Sequence, residues 1–125
     1  MSGVTLDAGG LIALDRGHRG VIALLARSAE LSVPVTVPAT ALAQAVRDPA
    51  RQARLSRLVR QPTTQLVPLD GPDATNVGVL LARSRTKDIV DAHVVICARR
   101  SGSAIVTSDP EDLRRLDPGA RLIEI

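Results

Sequence analysis

The 125-residue sequence contains no phenylalanine, tyrosine or tryptophan. Modules that grip single strands by stacking bases on aromatic rings are thereby excluded, and any contact with nucleic acid has to rest on arginine and backbone. Cysteine occurs once, at Cys97. That rules out an internal disulfide framework and the multi-cysteine zinc patterns, and it fits a reducing, cytosolic setting. Long apolar runs are also missing. The longest, Val21 to Ala26, is far too short to span a bilayer. No basic segment precedes an apolar stretch in Met1 to Asp7, so no signal peptide is expected. Neither a G-x-x-x-x-G-K-[ST] loop nor a G-x-G-x-x-G turn is present, which argues against phosphate cradling by those routes.

Hydrophobic residues make up 45% of the chain and the mean hydropathy is +0.14. One folded domain spanning residues 1–125, with a real core, is expected from these values. Sixteen basic residues face thirteen acidic ones, and every basic residue except Lys87 is arginine. Arginine presents a rigid fork of donors that matches phosphate geometry, which favours a polyanionic partner. A coding bias towards arginine accounts for the same composition.

Strand and helix signals alternate along the chain. Val4 to Leu6 is a short apolar run closed by Asp7-Ala8-Gly9-Gly10, and Leu11 to Leu14 opens a helix broken near Gly17. Arg19 to Glu30 has helical spacing, and Val33 to Val37 reads as a strand with Pro34 at its start or edge. Pro38 suits the first turn of a helix reaching Arg47 before Pro49, and Ala50 to Arg60 a further amphipathic helix. Gln65 to Leu69 reads as a strand, Asp70-Gly71-Pro72-Asp73 as a turn and Ala74 to Arg83 as a helix. Thr86 to Ala98 forms an almost wholly apolar helix, followed by a strand from Ser103 that stops on Asp109. Pro110 to Leu116 and Arg121 to Ile125 supply a last helix and strand. Such alternation with short connections implies an α/β fold with a mostly parallel sheet covered by helices on both faces.

Ligands of such sheets sit at the carboxyl ends of the strands. Asp7 ends the first strand, Asp109 ends the strand after the apolar helix, and Asp91 lies in that helix's first turn. Left unpaired inside an apolar helix, Asp91 would cost several kcal/mol, so something should compensate it. Three converging carboxylates need a cation, and an oxygen-only set with no histidine cluster points to a hard ion, Mg²⁺ or Mn²⁺. Each aspartate alone also has a plainer reading. Asp88 with Asp91, and Asp109 with Asp112, are spaced as helix caps. Asp7 is harder to dismiss, because Gly9 and Gly10 let backbone approach it closely.

Leu6-Asp7-Ala8-Gly9, Asp91-Ala92 and Thr107-Ser108-Asp109, in this order and spacing, resemble the PIN domain, specifically the small VapC-type toxins, over essentially the whole chain. The resemblance implies a PIN-like three-layer fold and a cytosolic Mg²⁺- or Mn²⁺-dependent endoribonuclease. It also implies a homodimer, held inactive by a cognate VapB-type antitoxin, with products ending in 5′-phosphate and 3′-hydroxyl. Asp7, Asp91 and Asp109 match three acidic positions of the family and are expected to be catalytic and to hold the metal. Asp88 and Asp112 are neighbours that bind through water or only cap, and Thr107 and Ser108 shape the loop that positions Asp109.

The family's remaining acid, a glutamate after the second strand, is Gln44 here. An amide in place of a carboxylate removes one negative charge from the ion's surroundings. Asp48, one turn on, reads as a solvated residue at the helix end, and the only glutamates are Glu30, Glu111 and Glu124. A PIN-like module that binds RNA or an antitoxin with little catalysis is therefore the alternative, and a phosphoryl-receiving domain is a more distant one. The row Arg47, Arg51, Arg54 and Arg57 is the sequence's candidate for phosphate positioning. A solvated helix face has the same pattern. His18, His93 and Cys97 are expected to pack or to lie on the surface without binding an ion.

Overall fold

A computed structural model of the chain describes residues 3–125; Met1 and Ser2, part of the leader-peptide reading above, lie outside it. Five short strands form one sheet: β1 (Val4–Leu6), β2 (Val35–Pro38), β3 (Thr64–Val67), β4 (Ala104–Thr107) and β5 (Leu122–Glu124). Their order is β3-β2-β1-β4-β5 and every pairing is parallel. The first strand in sequence is thus the central one, and all three of its residues are buried. Leu6 lies opposite Val106, and the amide of Asp7 continues the ladder by donating to the Val106 carbonyl at 3.2 Å. This α/β architecture is the one expected from the alternating pattern.

Between the strands run α1 (Ala8–Asp15), α2 (Arg19–Glu30), α3 (Ala39–Ala45), α4 (Ala53–Arg60), α5 (Gly71–Ser84), α6 (Ile89–Ser101) and α7 (Pro110–Leu116). Leu6, Leu11, Val21, Leu55, Val94, Val106 and Leu113 form the centre of the core. Two glycines have clear geometric reasons. A Cβ on Gly10 would lie 2.9 Å from the Val106 carbonyl oxygen, so α1 rests almost directly on β4. Gly102 ends α6 at φ +64°, a conformation with little penalty for glycine.

Several element boundaries differ from the sequence reading, Pro38 among them as the last residue of β2 instead of the first turn of a helix, and three of the differences bear on packing. The helix after β2 stops at Ala45 instead of Arg47. The span from Ala50 to Arg60 is divided into a 3₁₀ turn (Pro49–Arg51) and α4. Gln52 makes this break tolerable, because its buried amide accepts from the Arg47 and Asp48 amides at 2.8 and 3.0 Å and donates to the Ala45 carbonyl at 3.0 Å. The segment read as the turn Asp70 to Asp73 is instead the start of α5: Asp70 caps it by accepting from the Asp73 amide at 2.9 Å, and Pro72 fits its first turn. No helix among the described residues is long and apolar enough to cross a membrane.

Candidate active site

The carboxyl ends of β1 and β4 lie side by side, and each hands the chain to an aspartate. Asp7 follows β1 as the N-cap of α1, its Oδ1 accepting from the Gly10 amide at 2.7 Å, and it is only 4% exposed. Two residues past Val106, Ser108 sits over Gly9, closely enough that a Cβ there would collide with its Oγ. Thr107 is fully buried and joins the two acids. Its Oγ1 accepts from the Asp109 amide at 2.9 Å, and its hydroxyl hydrogen-bonds the Asp7 carboxylate. Thr107 was expected to shape this loop; its bond to Asp7 follows from the β1–β4 pairing.

Asp91 enters from α6. Asp88 caps that helix by accepting from the Asp91 amide at 2.9 Å, so the capping reading holds for Asp88. The Asp91 side chain is half-buried. Burial first, then repulsion from Asp88, Asp7, Asp112 and Asp109, pushes its pKa up to about 7. Burial likewise raises Asp7, against the hydrogen bonds from Thr107 and Gly10, with repulsion from Asp109 adding to the rise. Asp109 is raised chiefly by its contact with the Asp112 carboxyl, then by desolvation. The five aspartates therefore feel one another across the edge, and none takes part in an ion pair among the described residues.

In donor chemistry this set fits a hard divalent ion, which carboxylate oxygens bind and which would relieve their repulsion. The side chains surround the edge loosely: among the described residues, no three are gathered tightly enough to enclose an ion as they stand. A cavity of about 130 Å³ opens beside them, lined by Asp88, Asp91, Asp112, Thr86, Lys87 and Arg115.

Other candidates lie apart from this cavity. Gln44 is exposed on α3. Arg47 donates to the Ala43 and Val46 carbonyls, Arg51 pairs with the exposed Asp48, and Arg54 donates to the Asp15 carbonyl at the end of α1. Arg54 and Arg57 line a different, mainly apolar groove of about 380 Å³ between α2, α4 and β3. His18 caps α2, its Nδ1 accepting from the Val21 amide at 3.2 Å. Cys97 is buried, and burial pushes its thiol up to about 11.

One polar cluster was missed from the sequence. Asp73, 3% exposed at the start of α5, pairs with Arg100, and its Oδ2 lies 3.9 Å from Nε2 of the fully buried His93. Nδ1 of His93 is 2.7 Å from the Thr40 hydroxyl. Arg100 holds the Asp73 carboxyl below its usual range, while burial holds His93 below its own. Arg100 was the available signal, as a charge on an apolar helix.

A parallel sheet whose two adjacent strands β1 and β4 are each followed within two residues by an aspartate defines an α/β protein with its site at the strand carboxyl ends. The chain belongs to the PIN domain family, which it matches over residues 4–118. Its fold is similar to that in VapBC2 from Rickettsia felis bound to a DNA fragment from their promoter, at TM-score 0.68 and 13% identity over 98% of each chain. It is similar also to FitAcB from Neisseria gonorrhoeae, at TM-score 0.67 and 16% identity over 97% of this chain and 96% of that one. A third likeness, to FitAB bound to the IR36 DNA fragment, has TM-score 0.63 and 13% identity over 97% and 94%. No curated protein matches the sequence.

Proposed function

We propose that the chain is a Mg²⁺- or Mn²⁺-dependent endoribonuclease, the toxin of a toxin–antitoxin pair, acting in the cytosol as a homodimer restrained by a VapB-type antitoxin. The observation that carries the nuclease reading is the gathering of Asp7, Asp91, Asp109 and Asp112 at the carboxyl edge of β1 and β4. The toxin role and the antitoxin partner are supported by family membership and by structural neighbours described as VapBC2, FitAcB and FitAB.

Asp7, Asp91 and Asp109 would hold the ion, with Asp88 and Asp112 beside them. A bound divalent ion supplies a water of lowered pKa and neutralises charge on a phosphodiester. The protein's part is to hold the carboxylates ready. Gly10 and Thr107 fix Asp7, the Thr107 hydroxyl links it to the Asp109 backbone, and α6 presents Asp91 half out of water. Ionised Asp91 is the form that binds a cation. No side-chain nucleophile is required.

The test is cleavage of a mixed-sequence RNA in Mn²⁺ and in EDTA, by the protein and by its Asp7→Asn, Asp91→Asn and Asp109→Asn variants. Metal-dependent cleavage that all three variants lose supports the assignment; cleavage that survives all three sinks it. Gln44, exposed where the family carries an acid, favours one further reading, a module that binds RNA or antitoxin with little catalysis. RNA binding without cleavage in any metal is its signature.

A further inference from the structure

A site built of acids repels the polyanion it is meant to cut, and phosphates must be held beside it by cations. The arginine row chosen from the sequence is poorly placed for this. Arg47 and Arg54 are occupied by backbone carbonyls, Arg51 by Asp48, and Arg57 borders the apolar groove instead of the carboxylates. Several other arginines are committed as well: Arg99 to Asp117, Arg100 to Asp73 and Arg114 to Glu124.

Two cations line the carboxylate cavity itself. Lys87 stands just before Asp88, the cap of α6, and Arg115 lies on α7 three residues after Asp112. Both are exposed, and neither makes an ion pair or side-chain hydrogen bond among the described residues, although three carboxylates share the cavity with them. The charged ends of Lys87 and Arg115 lie beyond ion-pair distance of the acids and open to solvent. Arg114, next in sequence to Arg115, is turned away to Glu124 on β5. The cavity, about 130 Å³, has room for one phosphate group and its waters, a water taking about 30 Å³.

We propose that Lys87 and Arg115 are the phosphate-binding residues of this site, gripping the RNA backbone on the α6–α7 side of the carboxylates. The inference rests on the nuclease reading and assigns the substrate contacts that it leaves open. Lys87 supplies a mobile point charge and Arg115 a planar fork, so the contact is to backbone and tolerant of sequence.

The experiment measures binding of a short fluorescein-labelled single-stranded RNA in EDTA, where a metal-dependent nuclease does not cut, across a range of salt concentrations. Each lost phosphate contact flattens the slope of log K against log salt by about 0.7, so the Lys87→Gln/Arg115→Gln protein should lose about 1.4. Lys87→Arg and Arg115→Lys should keep the slope. A charge-matched Arg19→Gln/Arg60→Gln protein, altered away from the cavity, should keep it as well. Calorimetric Mn²⁺ binding should survive in the Lys87/Arg115 double variant and vanish in Asp91→Asn. Mn²⁺ binding with an unchanged slope in the double variant, or an equal loss in the Arg19/Arg60 control, overturns this inference alone. Absence of Mn²⁺ binding in the unsubstituted protein overturns the nuclease reading and this inference with it.

Discussion

Asp91 stands in a helix whose packing and neighbours both oppose its charge. Its carboxyl ionises at about 7 in the folded chain and near the ordinary 3.8 when unfolded. Between those values the folded state holds the extra proton, so stability falls as pH rises from about 4 to about 7 and stays lower above that. Asp91→Asn lacks this loss. Without metal it should match the parent near pH 4 and exceed it at pH 8 by about 1–2 kcal/mol, allowing for solvent screening at a half-buried group. Urea melts at the two pH values check this, and equal stability at pH 8 would show that the carboxylates do not crowd Asp91. Asp73 behaves oppositely. Arg100 lowers its pKa, so its stabilisation is present above pH 3.8 and disappears as pH falls through the folded value. Arg100→Ala should cost about 2 kcal/mol at pH 7, below the figure for a fully enclosed pair because the guanidinium is half exposed. Asp91 was legible in the sequence because an acid interrupted an apolar helix. Asp73 was not, because its partner lies 27 positions away and its surroundings spell a turn.

Helices α1 and α6 position the acids, and their glycines separate site from scaffold. Gly10→Ala drives a methyl against the Val106 carbonyl and must lift α1 from β4, taking the Asp7 cap with it. The cost is about 1–3 kcal/mol, and Mn²⁺ affinity should fall with it. Gly102→Ala meets no atom within 4 Å but forces alanine to φ +64°, costing about 1 kcal/mol. Thermal melts and calorimetry on both proteins should show stability lost in each and affinity lost in Gly10→Ala alone. An equal drop in affinity would mean that α1's seat on β4 does not set the site. Helix α2, with bounds matching the sequence reading at Arg19 and Glu30, shows how far periodicity reaches. It fails at Gln52, where the chain leaves helical geometry and one side-chain amide replaces the missing backbone partners.

At the scale of the molecule, alternation of strand and helix implied a parallel sheet, but nothing in the pattern specified that β1 would lie between β2 and β4. That order is what brings Asp7 beside Asp109, and residues 102 positions apart carry no periodic trace of it. The convergence was legible through aspartates at two strand ends and one helix start, and through the resemblance of those positions to the PIN domain. If the edge is a metal site, ion binding is coupled to folding of the whole chain. Mn²⁺ at 100 times its dissociation constant should stabilise the protein by about 2.7 kcal/mol at pH 8, raising Tm by roughly 10 °C. At pH 5.5 the same Mn²⁺ concentration must displace the Asp91 proton. One and a half units below a pKa of about 7, affinity falls roughly 30-fold and the stabilisation shrinks to about 1 kcal/mol. Gln44→Glu, which restores a negative charge on α3, should enlarge the shift at both pH values if α3 contributes to the ion's field. Differential scanning calorimetry with and without Mn²⁺ measures all four differences. A Tm shift independent of pH would mean that the ion binds without Asp91, at some other part of the surface.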